Sequence, residues 1–435
     1  MQLLLYAPIT SSRLQYICHF IFREIMLVNF SITINSKEFQ DYAGAKIAYT
    51  NDAMPGDHLN IGCCELLFEN NIREQNIQCF QVNNYKAFFK TENDDLPFDI
   101  FAAAFYLLSR YEEYLPYKKD MYGRYAHENS LAFKEQFLHL PLINIWVSHL
   151  VEILQNKFSG FSLQPSPFTF IPTYDIDIAY SLKYKGLARN IGRFLKSPSL
   201  TFFKVFTAIS KDPFDVYEWM NSLHKLYNLK PLYFFLIAEK NGCYDKNILP
   251  HKNAMWKLIK QHAKKYAIGI HPSWQSGDAP GLIKKEITQL QAMSEINITR
   301  SRQHYIRFNL PHTYRLISEA GITEDYSMGY GSINGFRASV ATSFFWYDLQ
   351  KNKLTNLRIH PFCYMDANSF YEQKYTHARA FEELMHYYTV CKKTSSQMIT
   401  IWHNNFLGTD KIFAGWPEMY EAFIKEINTN TINKL

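Results

Sequence analysis

The stretch Phe168-Thr-Phe-Ile-Pro-Thr-Tyr-Asp-Ile-Asp-Ile-Ala-Tyr180 decides the fold of this chain. Its apolar, β-branched and aromatic residues are typical of a buried strand in a parallel sheet. The strand ends in Asp175 and Asp177, and side chains two residues apart on a strand point to the same side. Two carboxylates that close repel each other unless a cation lies between them. The stretch therefore predicts either a metal ligand beside a proton-transferring carboxylate, or two solvated loop acids.

Length and composition indicate a folded protein of two or three domains. The chain has 435 residues, of which 47% are hydrophobic and 20% are charged, so it has ample material for hydrophobic cores. The net charge of +6 is spread along the chain without a block of Lys and Arg. Composition therefore does not favour nucleic acid as a partner.

Cysteine usage and hydropathy bear on the compartment. The seven cysteines form no metal-binding or disulfide spacing, which predicts reduced thiols in a cytosol. The stretch Met1–Pro8 lacks a basic segment before its short apolar run, and no run of about 18 apolar residues could span a bilayer. We therefore expect a soluble, cytoplasmic protein without a transmembrane segment.

Residues 1–160 predict a smaller α+β domain whose role the sequence does not indicate. We expect the polar Arg110–Glu113 end of its clearest helix to be solvated, with local ion pairs. The segment Ser159–Pro167 contains Gly, Ser and Pro, which are typical of a connector between domains. We therefore place the domain boundary after residue 160, so that residues 161–435 form the second domain. The predicted elements are strands over Phe30–Asn35 and Lys46–Thr50, and helices over Asp99–Tyr114, with Asp99 as N-cap, and Pro141–Leu154.

The second domain alternates strands with helices, which predicts a parallel sheet with crossover helices. The basic and aromatic segment Ser181–Ser210 is predicted to be helical or a long loop above the sheet. The predicted strands are Phe168–Asp177, Pro231–Ile237, Ala267–His271 and Gln397–His403, and the predicted helices are Val216–Leu226, Met255–Tyr266, Leu282–Met293 and Glu418–Ile427.

Three predicted strands end in groups that bind metals or move protons: Asp175 with Asp177, His271, and His403. Each histidine alone is more often structural. In a parallel barrel, however, the carboxyl ends of the strands meet on one face. Carboxylate and imidazole together suit zinc or a similar divalent ion, which lowers the pKa of bound water. The pattern is therefore typical of a hydrolytic site with a carboxylate base and a histidine acid.

Five short motifs follow one another in this half of the chain. They are Thr173-Tyr-Asp-Ile-Asp177, Gly269-Ile-His-Pro-Ser-Trp274, Arg302-Gln-His-Tyr305, Asn334-Gly-Phe-Arg-Ala-Ser339 and Ile399-Thr-Ile-Trp-His403. In this order, over about residues 168–410, they resemble the motifs of the polysaccharide deacetylases (carbohydrate esterase family 4). The resemblance is greatest to a bacterial branch with a long N-terminal extension, which Arg110–Glu113 and Asp120–Arg124 also resemble.

The resemblance implies a distorted (β/α) barrel of seven or eight strands and metal-dependent removal of N-acetyl groups from sugars. It implies a divalent metal, with zinc favoured. The resemblance implies that Asp175 is the general base, which Arg302 orients, and that Asp177 and His271 bind the metal. Tyr305 would stabilise the oxyanion through its backbone N–H, and His403 would be the general acid, tuned by Asp366. Arg337 would contact the substrate or an acid near the site, or form a structural ion pair.

The second motif departs from the family pattern. The family has a second metal-binding histidine four residues after the first, and this chain has Gln275 there, a much poorer zinc ligand. Three alternatives follow: water completes the site, another residue such as His304 supplies the third ligand, or metal binding is weak or lost. His304 itself stands where the family usually has proline.

The leading functional hypothesis is a metal-dependent amide hydrolase that acts on an N-acetylated sugar, glycan precursor or glycolipid in surface polysaccharide metabolism. The alternative is a non-catalytic barrel that binds glycan or a biosynthetic partner, which Gln275 favours. Retention of Asp175, Asp177, Arg302 and His403 together opposes that alternative. A third hypothesis is hydrolysis of a small cyclic amide on the same scaffold. The sequence does not indicate an oligomeric state.

Overall fold

A four-stranded parallel sheet lies in the N-terminal part of the computed structural model. The structure describes residues 2–92, 94–163, 166–185, 205, 207 and 209–432. The strands are β1 (Gln2–Tyr6), β2 (Asn29–Thr33), β3 (Lys46–Tyr49) and β4 (Leu59–Ile61), in the order β2-β1-β3-β4, and β5 (Phe80–Val82) with β6 (Tyr85–Ala87) forms a separate antiparallel pair. The predicted strands at 30–35 and 46–50 are confirmed as β2 and β3.

Helices surround this sheet and link it to the second half of the chain. Asp99 caps the first long helix, where its side chain accepts a hydrogen bond from the N–H of Ala102 at 2.9 Å, as predicted. That helix ends at Leu108 rather than Tyr114, because Arg110 adopts a left-handed conformation with φ of 55°. The helices are α1 (Ser12–Cys18, continued by the π-helical His19–Ile25), α2 (Ser36–Asp41), α3 (Ile100–Leu108), α4 (Leu131–Lys134) and α5 (Leu142–Lys157), with 3₁₀ turns at Glu65–Leu67, Tyr111–Tyr114 and His127–Asn129.

The prediction that Arg110–Glu113 is solvated is wrong. Arg110 is 1% exposed and Glu113 is 3% exposed, because both pair with a guanidinium or carboxylate inside the protein. Arg337, from the other half of the chain, donates to Glu113 through Nε at 2.8 Å and Nη2 at 2.6 Å. We call Arg110, Glu112, Glu113 and Arg337 the Arg337 network. It joins the two halves of the chain in their common interior.

A nine-stranded, mainly parallel sheet organises the second half. Its strand β7 lies within the Phe168–Tyr180 stretch. The predicted strands 231–237, 267–271 and 397–403 are confirmed as β8, β9 and β15. The strands are β7 (Thr169–Ile176), β8 (Leu232–Leu236), β9 (Ala267–His271), β10 (Arg300–Ser301), β11 (Glu324–Asp325), β12 (Phe344–Asp348), β13 (Lys353–Ile359), β14 (Tyr364–Met365) and β15 (Gln397–His403).

The strand order is β12-β13-β11-β10-β9-β8-β7-β15-β14, with β12 antiparallel to β13. On one side of β7 the parallel strands are β8, β9, β10, β11 and β13, in chain order. On the other side of β7 lie β15 and then β14. A closed barrel would join the two edge strands, β12 and β14, and no pairing between them is found among the described residues. The α/β fold is therefore confirmed, and the closed barrel stays a prediction.

Amphipathic helices connect these strands, as the spacing of apolar residues predicts. In the first of them Met220 and Leu223 are buried, and the closing helix buries Phe423 and Ile424. The segment Ser181–Ser210 lies mostly outside the described residues. The helices are α6 (Tyr217–Leu226), α7 (Asn253–Ala263), α8 (Pro280–Ser294), α9 (His312–Glu319), α10 (His377–Lys393) and α11 (Trp416–Ile432), with short 3₁₀ turns at Trp274–Gly277, His304–Ile306 and Lys411–Phe413 and a π-helical turn at Asn368–Glu372.

The two halves share one hydrophobic core. Side chains from α1, α3 and α5 belong to the same buried cluster as those from β7, β12 and β15. Tyr16 also donates a hydrogen bond to the backbone carbonyl of Phe345 at 2.8 Å. The division into domains at residue 160 stays a prediction. Within the described ranges, each helix is too short or too polar to cross a bilayer.

Candidate active site

Strand register brings the predicted strand-end residues together. Asp175 on β7 lies opposite His403 on β15, and His271 is the last residue of β9. Asp177 follows β7 directly, and its carboxylate lies 3.1 Å from Nε2 of His271 and 3.6 Å from Nε2 of His403. The carboxyl edge of the parallel sheet therefore gathers residues that are more than 200 positions apart in sequence.

These side chains form the floor of a cavity of about 450 Å³. Its polar floor and partly aromatic walls are the arrangement expected of a small-molecule site. The lining residues are Tyr122, Arg124, Asp175, Asp177, Ile178, His271, Gln303, His304, Tyr305, Ile306, Gly331, Met365, Ala367, Asn368, Tyr371, Glu372, His403, Asn405 and Phe406.

His271 faces Asp177 with the nitrogen that is free to bind a cation. Its Nδ1 lies 2.5 Å from the backbone carbonyl of Arg302, so Nδ1 carries the proton and Nε2 is directed to the cavity side. Oδ1 of Asp177 is buried and accepts no hydrogen bond from any described residue, although Nε2 of His271 is near. An orphaned carboxylate oxygen beside an imidazole nitrogen indicates a place for a cation.

His304 completes the cluster from the 3₁₀ turn after β10. Its Nδ1 lies 3.0 Å from Oδ1 of Asp245, and its Nε2 lies 3.5 Å from Oδ2 of Asp177. Burial disfavours a charged ring, but Asp177 and Asp245 outweigh burial and raise the pKa of His304 to about 9. Burial likewise opposes ionisation of Asp177, but His304 and His271 lower its pKa well below the ordinary value. The site therefore favours positive charge at its centre.

Asp177, His271 and His304 can hold one metal ion together. One ligand atom from each lies within 4.8 Å of the other two. One carboxylate oxygen and two imidazole nitrogens are a donor set suited to zinc and similar ions, and a carboxylate on the far nitrogen of a ligating histidine is the usual support. The residues present therefore fit the metal that the family resemblance implies. We call these three residues the Asp177 cluster.

Gln275 lies outside the Asp177 cluster. Its Nε2 donates to Oδ2 of Asp245 at 3.3 Å, so it supports the carboxylate that holds His304. The N–H of Trp274 donates to Oδ1 of the same carboxylate at 2.9 Å. Among the three alternatives for the third ligand, the geometry thus favours His304. Gln275 then occupies a supporting position.

Arg302 fixes Asp175. Its guanidinium is fully buried, lies 4.4 Å from the centre of the Phe234 ring, and donates from Nη1 to Oδ1 of Asp175 at 2.7 Å. Nε donates to the backbone carbonyl of Tyr326 at 3.0 Å, which sets the plane of the guanidinium. The other oxygen of Asp175 lies 3.8 Å from Nε2 of His271. Asp175 therefore presents one oxygen to the cavity and one to a fixed cation.

Asp366 fixes His403 at the end of β15. Its Oδ1 lies 2.6 Å from Nδ1 of His403, and its Oδ2 accepts from the backbone N–H of the same residue at 2.7 Å. Burial opposes the charged ring, but Asp366 outweighs it and raises the pKa of His403 to about 10. The ring is therefore protonated at neutral pH, with Nε2–H on the cavity side. This is the state that a general acid requires.

The structure separates Tyr305 from Arg337. Tyr305 lines the cavity, has φ of 57°, and its backbone N–H meets no hydrogen-bond acceptor among the described residues. Arg337 is buried in the Arg337 network and is absent from the described cavity lining. Of the two roles left open for Arg337, the structural ion pair is the one that the contacts support.

Three residues at the site were not anticipated from the sequence. Asp245 lies in the loop after β8, where a carboxylate following a parallel strand gives only a weak signal. Tyr122 and Arg124 come from the N-terminal half, in the Asp120–Arg124 stretch that resembles the family branch's extension. That resemblance was the only sign that this stretch belongs to the site.

Comparisons with known proteins match a family model and several solved structures. A family of unknown function, DUF7033, matches residues 3–159. No curated protein matches the chain.

Among solved structures, a Mycobacterium smegmatis protein described as a polysaccharide deacetylase is 13% identical, with a TM-score of 0.40 over 60% of this chain and 84% of that one. The polysaccharide deacetylase from Bacillus cereus is 12% identical, with a TM-score of 0.31 over 59% of this chain and 87% of that one. Puue allantoinase is 11% identical, with a TM-score of 0.38 over 61% of this chain and 84% of that one. The structures similar to this chain thus include several polysaccharide deacetylases.

Proposed function

We propose that the protein is a metal-dependent hydrolase that removes an N-acetyl group from a sugar or glycan precursor. The observation that carries the proposal is the Asp177 cluster, which lies in one cavity with a fixed carboxylate and a protonated histidine. A site with a cation position, a base and an acid has the parts needed for amide hydrolysis.

The base and the acid lie at the ends of the neighbouring strands β7 and β15, beside Asp177. A divalent ion in the cluster, with zinc as our proposal, would polarise the amide carbonyl and lower the pKa of water. Asp175, held by Arg302, accepts the proton of the attacking water through its free oxygen. His403, held protonated by Asp366, donates a proton from Nε2 to the departing nitrogen. Proton removal and proton delivery are thus assigned to different, separately fixed groups.

The backbone N–H of Tyr305 stabilises the oxyanion. Tyr305 lines the cavity, and its N–H has no hydrogen-bond partner among the described residues. A donor fixed before the reaction stabilises the transition state without reorganisation.

The cavity walls suit a sugar. Tyr122, Tyr305, Tyr371 and Phe406 line the space above the polar floor. Aromatic faces with nearby polar groups suit the apolar and hydroxyl faces of a sugar ring. We propose a cytoplasmic precursor or glycolipid of surface polysaccharide synthesis as the substrate, and a barrel over 161–435 as the catalytic domain.

The direct test is release of acetate by untagged, zinc-loaded protein. The panel contains N-acetylhexosamine oligosaccharides, a nucleotide-linked N-acetyl sugar, an N-acetylated glycolipid and a small cyclic amide. We expect acetate from one of the N-acetyl sugars, and a fall of about 10²–10⁴-fold in Asp175→Asn and in His403→Gln. Glu295→Gln, at an exposed ion pair with Lys260, is the matched control and should retain activity.

Three results would contradict the proposal. Absence of acetate from every N-acetyl substrate, with metal bound, would leave the binding hypothesis. Hydrolysis of the cyclic amide alone would transfer the proposal to that reaction. Full activity in Asp175→Asn would refute the assigned base.

A further inference from the structure

A turn of the N-terminal half reaches the cavity. Lys119 and Tyr125 pair as an isolated antiparallel bridge, and Oδ1 of Asp120 accepts from the N–H groups of Tyr122 and Arg124 at 2.9 Å each. These bonds fix a tight turn over 120–124. Tyr122 and Arg124 at its tip line the same cavity as Asp177.

Arg124 is held on one side and binds Tyr305 on the other. It is 4% exposed, and its Nε donates to Oδ2 of Asp120 at 2.6 Å. Its Nη1 donates to the backbone carbonyl of Tyr305 at 2.5 Å. The guanidinium also lies 4.8 Å from the centre of the Tyr122 ring, which in turn packs 5.4 Å from the Tyr305 ring. Asp120 therefore holds the buried guanidinium of Arg124 in a fixed position, from which it binds the backbone carbonyl of Tyr305.

The left-handed Tyr305–Ile306 turn needs such support. Tyr305 and Ile306 have φ of 57° and 53°, in the left-handed region of backbone conformation that residues other than glycine rarely adopt. A single residue persists there only when its surroundings hold it, and such residues concentrate at functional sites. Because the carbonyl of Tyr305 is bound by Arg124, the orientation of the turn that carries its free N–H is tied to the N-terminal half.

Gly331 leaves the space for this contact. A Cβ atom at Gly331 would lie 2.0 Å from Nη1 of Arg124 and 2.9 Å from the carbonyl oxygen of Tyr305. Any side chain there would displace the guanidinium or the peptide. The backbone of a third segment is therefore shaped around the bond between Arg124 and Tyr305.

We propose that Arg124 is a positioning residue for the reaction: by binding the carbonyl of Tyr305 it holds the left-handed Tyr305–Ile306 turn, and this turn keeps the N–H of Tyr305, which lies in the preceding peptide unit, available to the oxyanion. The N-terminal half is then part of the catalytic machinery. The inference rests on the proposed amide hydrolysis for its catalytic consequence, but the mechanical part concerns the Tyr305 turn alone.

The test uses three variants and a control in the full-length, zinc-loaded protein. Arg124→Met removes the donors, Arg124→Lys keeps one charged donor, and Gly331→Ala pushes the guanidinium aside. Met121→Ala changes an exposed side chain of the same turn. The readouts are kcat and KM for acetate release, bound zinc, and hydrogen exchange of the peptide covering Gln303–Phe308.

We expect kcat to fall by about 10²-fold in Arg124→Met and in Gly331→Ala, since one oxyanion donor is misplaced. KM and bound zinc should change by less than about threefold, and Arg124→Lys should recover part of kcat. Hydrogen exchange of Gln303–Phe308 should be faster in Arg124→Met and Gly331→Ala than in the parent protein. Met121→Ala should match the parent protein.

A raised KM with unchanged kcat would overturn the proposal, because it would make Arg124 a substrate-binding residue. Unchanged exchange in Gln303–Phe308 would overturn it as well. If the parent protein releases no acetate, the proposed function fails, and the exchange measurement still decides whether Arg124 holds the turn.

Discussion

Two clusters of buried charge differ in how completely their polar atoms are matched. In the Arg337 network, Glu112 and Glu113 face Arg110 and Arg337, and all four carboxylate oxygens accept hydrogen bonds. In the Asp177 cluster, one oxygen of Asp177 accepts none from the described residues. The first cluster is complete without any added group. The second contains lone pairs that face each other.

The difference separates a structural role from a functional one. A buried ion pair whose hydrogen bonds are all made stabilises one arrangement of the chain and offers nothing to a ligand. A buried carboxylate oxygen that faces the lone pair of an imidazole nitrogen, as Oδ1 of Asp177 faces Nε2 of His271, is unfavourable until a proton or a metal ion lies between them. Burial and charge alone do not distinguish the two clusters. The count of matched donors and acceptors does.

The largest effect is expected at Asp177. Replacing it as Asp177→Asn removes the anionic ligand, so bound zinc should be lost and acetate release should fall by more than about 10³-fold, several kcal/mol of activation free energy. Metal analysis and initial rates measure both. Zinc bound by Asp177→Asn as tightly as by the parent protein would contradict the comparison.

Breaking the Arg337 network should act on stability instead. Glu113→Gln leaves two buried guanidinium groups short of a carboxylate, so the free energy of unfolding should fall by about 3–5 kcal/mol. Denaturant unfolding measures it. The folded fraction should bind zinc as the parent protein does. Loss of zinc without loss of stability would show that the two clusters are not distinct.

The support of His304 should have an intermediate effect. Asp245→Asn removes the carboxylate on Nδ1 of His304, so zinc affinity should fall by about 10–100-fold. Competition with a chelator measures the affinity. Asp278→Asn, whose carboxylate pairs with Arg307 at an exposed position, serves as the control. Equal affinity in both variants would exclude His304 as a supported ligand.

The smallest change concerns the pH profile. Asp366 raises the pKa of His403, so the protonated acid persists to high pH and is lost as pH rises through that pKa. In Asp366→Asn the imidazolium loses its carboxylate, and the alkaline limb of kcat/KM should move to lower pH by about one unit or more. A profile that does not move, or moves to higher pH, would contradict the assignment of His403 as the acid.

The sequence predicted the parts of the site that strand register determines. Asp175, Asp177, His271 and His403 lie at strand ends, and parallel strands place such ends side by side whatever the loops do. His304 remained one alternative of three, because its ring direction depends on a left-handed turn that no local pattern indicates.

Partners that meet through loops and helix ends, away from strand ends, could not be predicted. The Arg110–Glu113 segment reads as a solvated helix end, since its matching Arg337 lies 224 positions from Glu113. Asp245 and Arg124 likewise act through loops whose paths depend on packing between distant segments. The fold class, four strands (β7, β8, β9 and β15) and four helices (α6, α7, α8 and α11) of the second half followed from the sequence pattern. The strands β10–β14 and the helices α9 and α10 were not predicted, and the gap between the edge strands β12 and β14 is a property of the assembled sheet.

The most direct test of the central claim is the zinc content of two matched variants. Untagged parent protein, His304→Ala and Gln275→Ala are loaded with zinc, exchanged into metal-free buffer and analysed by mass spectrometry. The Asp177 cluster predicts close to one zinc ion per chain in the parent and in Gln275→Ala, and almost none in His304→Ala. Zinc retained in His304→Ala and lost in Gln275→Ala would contradict it.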